Sequence, residues 1–302
     1  MIKNRFVLID AFALVFRAYY ALPPTLTRDG QPIQAAYGFA SALLGAIKTL
    51  EPEYLAVGMD LPKPTLRHKE YVEYKAHRAP MPEDLTPQIP YAKKILQVMN
   101  IPTYAVEGYE GEDVIATIVA KSKIQNPNVK MDSIIVTGDL DLLQLIDGQT
   151  RVYSMARGIN QAVMYDENKV VERYGLKPEQ FVDFKALKGD ASDNIPGVSG
   201  IGEKGAAKLI LEFGNLKNIY QNIKKISGKQ QILLAENKEQ AFLSQKLSKI
   251  QNNVPLEFAL QDARVHQYNK SEVVKLFGQL GFKSLIERLP EEKNHAQQGK
   301  LL

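Results

Sequence analysis

Two hydrophobic patterns alternate along the chain. Short apolar runs rich in β-branched residues predict strands buried on both faces, at 5–9, 54–59 and 134–136. Apolar residues three and four positions apart predict helices between and after these runs. Strands that alternate with helices indicate an α/β fold with a mostly parallel central sheet flanked by helices. The predicted helices cover 11–20, 35–50, 91–99, 111–123, 166–174 and 178–187, with a short strand at 103–106 and a strand pair around 151–165.

Acidic residues follow the predicted strands at the same end. Asp10 follows the first strand and Asp60 the second, and Gly138 separates the third from Asp139 and Asp141. The crevice beyond the carboxyl ends of parallel strands is where ligands bind in such sheets. One such Asp could equally cap the following helix, but the repetition favours a shared site.

A second acidic group opens the helix predicted at 111–123. Glu110, Glu112 and Asp113 fall within four residues. The helix dipole favours acids in the first turn, so Glu112 and Asp113 alone need no function. Three acids at a sheet edge, ahead of the Asp139 and Asp141 pair, exceed what capping requires.

Composition narrows the class of protein. A chain of 302 residues, 45% hydrophobic and 24% charged, can form one large domain or one with a smaller companion, and is not disordered or fibrous. No apolar run is long enough to cross a bilayer and no signal-peptide pattern opens the chain, so a cytoplasmic location is expected. Zero cysteines exclude thiolate sites, which leaves oxygen ligands or four scattered histidines for any metal.

The modest net charge of +4 conceals a separation of charges. If nine acids assigned below to one site are set aside, 38 Lys and Arg stand against 25 of the 34 Asp and Glu. Basic surface attracts a phosphodiester backbone, whereas clustered carboxylates repel it unless divalent cations neutralise them. A basic surface that serves only solubility is the alternative.

The segment 62–90 interrupts the α/β pattern with six prolines around a basic, tyrosine-bearing centre. A connection of this length is usually functional or disordered. Its cations can contact phosphates and its tyrosines can stack on bases, the combination expected of a single-strand binding element, although a solvated loop is the alternative. His68 and His77 fit surface or phosphate contacts better than metal ligation. The residues concerned are Arg67, Lys69, Tyr71, Tyr74, Lys75 and Arg78.

Residues 200–205 form a literal G-x-G-x-x-G, but no strand precedes them, which excludes a dinucleotide fingerprint. The context predicts a helix-hairpin-helix, in which Gly200 and Gly202 let backbone amides approach a phosphate while Lys204 and Lys208 add charge. From 211 the chain is mostly helical and rich in lysine. We therefore predict an α/β core at 1–180, a helical region at 181–290 and a polar tail at 291–302.

Together these stretches resemble the flap-endonuclease family of 5′-nucleases, which includes the 5′→3′ exonuclease domain of bacterial DNA polymerase I. The similarity runs from Leu8 to about Pro290. The segments that match are Leu8-Ile9-Asp10 with Arg17, Ala36-Tyr37-Gly38-Phe39, the basic centre of 62–90, 108–113, 137–142, Gly189-Asp190-Ala191-Ser192-Asp193-Asn194 and the hairpin. Each segment alone is weak, but their order and spacing are specific.

The resemblance implies two-metal hydrolysis of DNA phosphodiesters by Mg²⁺ or Mn²⁺, with 5′-phosphate products. It implies that Asp10, Asp60, Glu110, Glu112 and Asp113 hold or support one metal, and that Asp139, Asp141, Asp190 and Asp193 hold a second. The resemblance also implies that residues 62–90 form a helical arch. Its catalytic cations would be Lys75 and Arg78, together with Arg17 from outside the arch. The DNA contacts of the arch would be Arg67, His68, Tyr71 and Tyr74. The hairpin would grip duplex DNA and bind K⁺.

The substrates implied are 5′-flap, nicked or branched duplexes and RNA primer–DNA junctions. The implied processes are replication and repair in the bacterial nucleoid, with a DNA polymerase that acts in the same pathway. Three departures from the family pattern stand out: Glu112 in place of Asp, Leu140 in place of a basic residue, and Ala11-Phe12-Ala13 in place of a small or polar stretch. A PIN-type ribonuclease and a flap-binding protein with a decayed site are the alternatives.

Overall fold

The computed structural model describes residues 4–24, 27–128, 130–155 and 161–291. A six-stranded sheet lies at its centre, in the order β5-β4-β1-β6-β7-β8. All neighbours are parallel except β7 and β8, which pair antiparallel. The strands are β1 (Arg5–Asp10), β4 (Tyr54–Gly58), β5 (Thr103–Tyr104), β6 (Asp132–Thr137), β7 (Thr150–Ser154) and β8 (Val163–Tyr165), with a separate hairpin of β2 (Thr27–Arg28) and β3 (Gln31–Pro32).

Helices cover both faces of the sheet, which explains why β1, β4 and β6 are buried on both faces. Phe6 and Leu8 of β1 pack into one hydrophobic core, and Val7 and Ile9 into the other. The helices are α1 (Ala11–Ala21), α2 (Gln34–Leu50), α3 (Leu66–Glu70), α4 (Ile89–Val98), α5 (Gly111–Gln125), α6 (Glu167–Tyr174), α7 (Phe181–Lys188), α8 (Glu203–Phe213), α9 (Leu216–Gln221), α10 (Lys229–Glu236), α11 (Lys238–Ser248), α12 (Lys270–Gln279) and α13 (Lys283–Ile286). In the part of the chain that the structure describes, none of these helices has the length and hydropathy needed to span a membrane.

The sequence predicted the α/β fold correctly, with a mostly parallel sheet between helices. The first core also includes residues of the predicted C-terminal region, such as Ala206 and Leu234, so the two regions share hydrophobic packing. Of the predicted polar tail, only Glu291 falls within the described residues.

The segment 62–90 differs from a continuous helical arch. It contains the five-residue helix α3, a series of turns, a 3₁₀ turn at Thr86–Gln88 and the first residues of α4. Lys75 adopts a left-handed backbone, with φ of 56°, which a continuing right-handed helix does not allow. We call residues 62–88 the arch segment.

The predicted helix-hairpin-helix is present. Helix α7 leads into a turn at 189–197, and the glycine hairpin at 197–202 leads into α8. The Val198 amide donates to the Leu187 carbonyl at 2.8 Å, which fixes the hairpin to the end of α7.

Candidate active site

A cavity of about 1310 Å³ opens at the carboxyl ends of β1, β4 and β6. Seven of the nine predicted acids line it, together with the predicted cations Arg17, Lys75 and Arg78. Carboxylates that lie far apart in the sequence therefore meet at one place. The seven are Asp10, Asp60, Glu110, Glu112, Asp139, Asp141 and Asp190.

The Asp10 carboxylate is held by hydrogen bonds from α1 and from β6. Asp10 ends β1 and caps α1, where one carboxylate oxygen accepts from the Ala13 amide at 3.1 Å. The other accepts from the Thr137 hydroxyl at 2.8 Å. Burial, followed by the charge of Asp60, raises the pKa of Asp10 to about 7. A buried carboxylate beside like charges has much to gain from a cation.

Asp139 and Asp141 share a tight turn after β6. The Asp139 amide donates to the Thr137 hydroxyl at 2.9 Å, and the Asp141 amide donates to the Asp139 carboxylate at 2.8 Å. Burial, followed by the charge of Asp139, raises the pKa of Asp141 to about 6. A short 3₁₀ segment, Asp141–Leu145, follows the turn.

Asp60 and Glu112 reach the cavity from β4 and α5. The Gly111 amide donates to Asp60 at 2.9 Å, which joins the end of β4 to the first turn of α5. Burial raises the pKa of Asp60. Burial also raises the pKa of Glu112 well above its ordinary range, although Arg67, 3.2 Å from its carboxylate, opposes the shift.

Lys185 lies between two acids that belong to different elements. Its ammonium donates to Asp141 and, at 2.5 Å, to Asp190. Burial tends to raise the pKa of Asp190, but the charge of Lys185 and its hydrogen bond outweigh burial and lower that pKa to about 2. Asp190 is therefore ionised and neutralised by an internal cation.

Two cations of the arch segment also pair with acids of the site. Lys75 donates to Glu110 at 2.8 Å, and Arg78 donates to Asp193 at 2.5 Å. The Lys75 amide donates to the Asp193 carbonyl at 2.9 Å, and the Asn194 amide group to the Glu73 carbonyl at 2.7 Å. The arch segment thus rests against the turn at 189–197.

Asp113 is separate from the cavity. Its carboxylate forms a bidentate ion pair with Arg67, at 2.7 and 2.8 Å, and accepts a hydrogen bond from the Gln251 amide at 2.7 Å. Arg67, only 7% exposed, also donates to the carbonyls of Leu247 and Lys249. In place of the expected phosphate contact, Arg67 joins the arch segment to α5 and to the residues after α11.

The predicted aromatic contacts of the arch segment are also internal. Tyr74 is 2% exposed, and its hydroxyl donates to Glu110 and Asp193, so the ring has no free face for a base. Tyr71 packs partly buried beside it. His68 lines the cavity, while its Nδ1 contacts the Thr65 hydroxyl at 2.8 Å. Asp193, held by Arg78 and Tyr74, does not line the cavity in this conformation.

The predicted duplex contacts do not line the cavity. Lys204 and Lys208 are exposed on α8, and Gly200 and Gly202 are exposed in the hairpin that precedes it. A Cβ added to Gly202 would meet nothing within 4 Å, so the backbone there is open to a ligand from outside.

The donors of the cavity fit a divalent cation. All seven acids offer hard oxygen ligands. Burial raises the pKa values of Asp10, Asp60, Glu112 and Asp141, so their ionised forms are costly in this cavity and a bound cation would stabilise them. Within the described residues, no three acidic or histidine side chains already stand in a geometry that could hold a metal ion. Internal cations form ion pairs with these carboxylates instead: Lys185 with Asp141, Lys75 with Glu110 and Arg67 with Glu112.

Sequence reasoning missed four contributors. Lys185 carried no signal beyond a lysine in the last turn of a predicted helix. Thr137 was visible only as the last strand residue before Gly138. Phe12 and Phe16, in the helix predicted at 11–20, line the cavity beside Arg17.

Similarity to solved structures shows the fold. The chain superposes on the bacteriophage T5 5′-exonuclease with bound zinc at a TM-score of 0.65 and 24% identity, covering 94% of this chain and 96% of that one. The catalytic core of Rad2 with DNA substrate gives 0.57 and 18%, covering 96% and 93%.

Sequence relatives give a closer match. DNA polymerase I of Caldicellulosiruptor bescii is 42% identical over 287 residues, and that of Bacillus subtilis is 36% identical over 301 residues. These alignments cover 94% and 99% of this chain but only 33% and 34% of the relatives, so the chain spans about a third of their length.

Family models cover most of the chain. Residues 5–175 match the 5′-3′ exonuclease N-terminal resolvase-like domain. Residues 176–271 match the 5′-3′ exonuclease C-terminal SAM fold. The chain therefore belongs to the 5′-3′ exonuclease family.

Proposed function

We propose that this chain is a metal-dependent 5′→3′ exonuclease and 5′-flap endonuclease that hydrolyses DNA phosphodiesters. The observation that supports this most is the meeting of seven carboxylates, carried on or next to β1, β4, α5, β6 and α7, in one cavity beside basic side chains. Family membership supports this class of chemistry, and the cavity supplies the oxygen donors that such chemistry needs.

We assign the acids to two groups. Asp10, Asp60, Glu110 and Glu112 would hold one Mg²⁺ or Mn²⁺, and Asp139, Asp141, Asp190 and Asp193 a second. Bound divalent cations supply activation of water and stabilisation of the leaving 3′-oxygen. Asp113 acts indirectly, since its pair with Arg67 anchors the first turn of α5. A T5 flap endonuclease of the same fold has been solved with DNA and metal ions, which supports metal binding by such a site.

The cations of the cavity would orient the phosphate. Arg17, Lys75 and Arg78 line the same cavity as Asp139 and Asp141, so they can contact a phosphate that lies over the acids. Lys75 pairs with Glu110, and Arg78 pairs with Asp193. Phosphate would compete for these cations, which releases the acids for metal.

The duplex would be held outside the cavity. Backbone amides of the hairpin and the ammonium groups of Lys204 and Lys208 suit phosphate contacts without reading bases. The same proposal includes a K⁺ ion at the hairpin and RNA primer–DNA junctions as substrates. It also includes a DNA polymerase as partner and a location in the nucleoid. The Rad2 core with its DNA substrate supports DNA as the ligand.

A substrate panel tests the proposal. Labelled 5′-flap, nicked duplex, single-stranded DNA and single-stranded RNA are incubated with the protein in Mg²⁺, in Mn²⁺ and in chelator. Cleavage of flap and nicked DNA that requires metal and leaves 5′-phosphates is the expected result. Preferred cleavage of RNA would favour a PIN-type ribonuclease, and flap binding without cleavage in either metal would show a decayed site.

A further inference from the structure

The acidic turn at 189–197 and the DNA-gripping hairpin are joined by direct backbone contact. A Cβ added to Gly197, whose φ is 65°, would lie 2.3 Å from the Gly189 nitrogen. Asp190 and Ile195 exchange two backbone hydrogen bonds, both 2.8 Å, which close the turn between the two glycines. A displacement of Gly197 therefore moves the turn that carries Asp190 and Asp193.

Helix α11 holds this junction through two side chains. The Gly197 amide donates to the Ser244 hydroxyl at 3.0 Å, and Ser244 is fully buried. The Gly197 carbonyl accepts from the Gln240 amide group at 2.7 Å. Both backbone polar groups of Gly197 are thus satisfied by side chains of one helix, whose own position is set by packing on α7.

We propose that Ser244 is a positioning residue that couples the hairpin to the metal site. Its hydroxyl fixes Gly197, and Gly197 fixes both the acidic turn on one side and the hairpin on the other. Ser244 touches neither DNA nor metal in this account. The inference rests on the proposed function, because it concerns the same carboxylates and the same hairpin.

The chemistry of the contact explains why a hydroxyl is needed. A buried amide without an acceptor is costly, so removal of the Ser244 hydroxyl drives Gly197 to move or to admit water. Because the two glycines are in contact, the shift reaches Asp190 within a few residues. Errors of about 1 Å in the position of a ligand or reacting group are enough to reduce rates by orders of magnitude.

The chain offers a matched control on the same helix. Ser248 lies one turn further along α11, is 4% exposed, and its hydroxyl has no partner among the described residues. Ser248→Ala removes the same group from a similar depth and breaks no hydrogen bond. Ser244→Ala and Ser248→Ala therefore differ in the contact to Gly197.

Two readouts test the inference. Mn²⁺ affinity is measured by electron paramagnetic resonance without DNA, and single-turnover cleavage of a 5′-flap is measured against Mg²⁺ concentration. For Ser244→Ala we expect Mn²⁺ affinity and the cleavage rate at low Mg²⁺ to fall by about tenfold, with partial recovery at high Mg²⁺. Ser248→Ala should match the wild type in both.

Each outcome decides the matter. Equal Mn²⁺ affinity and equal cleavage for the two variants would overturn the proposal, as would slower cleavage by Ser244→Ala with unchanged Mn²⁺ affinity. If Ser244→Ala does not fold, Gln240→Ala carries the same test, with a smaller loss expected because Gln240 is only half-buried. If the wild type binds Mn²⁺ but cleaves no flap, the proposed function fails while the Mn²⁺ comparison still tests the coupling.

Discussion

Replacement of Asp10 by Asn should stabilise the metal-free protein while it removes a metal ligand. The pKa of Asp10 is raised from 3.8 to about 7, so the ionised carboxylate is the costly form in the folded state. A shift of this size corresponds to about 4 kcal/mol at pH 8. Asn still caps α1 through the Ala13 amide, but its contact to the Thr137 hydroxyl is poorer, at a cost of about 1 kcal/mol. We expect a net gain of about 3 kcal/mol.

The gain should depend on pH in a defined direction. Between about pH 4 and 7 the folded wild type keeps a proton on Asp10 that the unfolded chain has lost, so its stability falls as the pH rises through this window. Asp10→Asn has no such group. The difference between the two proteins should therefore be small at pH 4 and reach its full size above pH 7.

Urea unfolding in chelator at pH 4, 6 and 8 measures this difference. Asp166→Asn is a matched control, because Asp166 caps α6 through the Lys169 amide at 2.8 Å but is exposed, so its replacement should change stability by less than about 0.5 kcal/mol. A variant Asp10→Asn no more stable than the wild type at pH 8, or stabilised equally at every pH, would refute the argument from burial and charge repulsion.

Two further predictions concern the arch segment and the hairpin. Lys75→Ala combined with Arg78→Ala should slow cleavage of bound 5′-flap by about 100-fold and change duplex affinity by less than about threefold; a collapse of affinity with unchanged turnover of bound substrate would contradict the assignment. Gly197→Ala should lower the free energy of unfolding by about 3 kcal/mol, because the added Cβ would clash with Gly189 and the residue has a positive φ. Gly202 has open space around it and a φ of −85°, so Gly202→Ala should change the free energy of unfolding by less than about 1 kcal/mol in the same unfolding experiment. Equal free energies of unfolding for the two glycine variants would contradict the close contact between Gly197 and Gly189.

Strand ends were the part of the site that the sequence could predict. Asp10, Asp60 and Asp139 follow apolar runs, and parallel strands bring their carboxyl ends to one edge whatever the loops do. The α/β class and the two buried faces of β1 follow from the same runs. Local periodicity was sufficient because these positions depend on the sheet alone.

The direction of helical and loop side chains could not be predicted in the same way. Glu112 and Asp113 are adjacent at the start of α5, so they point to different sides. Glu112 lines the cavity, whereas Asp113 pairs with Arg67 and accepts from the Gln251 amide, contacts that depend on residues far away in the sequence. Tyr74 is buried because the arch segment folds onto the turn at 189–197, a contact between residues 119 positions apart. No short-range pattern encodes such a contact.

The central claim is that carboxylates distant in sequence hold the cations that hydrolyse DNA. Single-turnover cleavage of a 5′-flap in saturating Mg²⁺ by Asp141→Asn tests it most directly, with the folded state of the variant verified by its unfolding curve. The account predicts that the rate falls by at least about 100-fold relative to the wild type. Cleavage at the wild-type rate would contradict it.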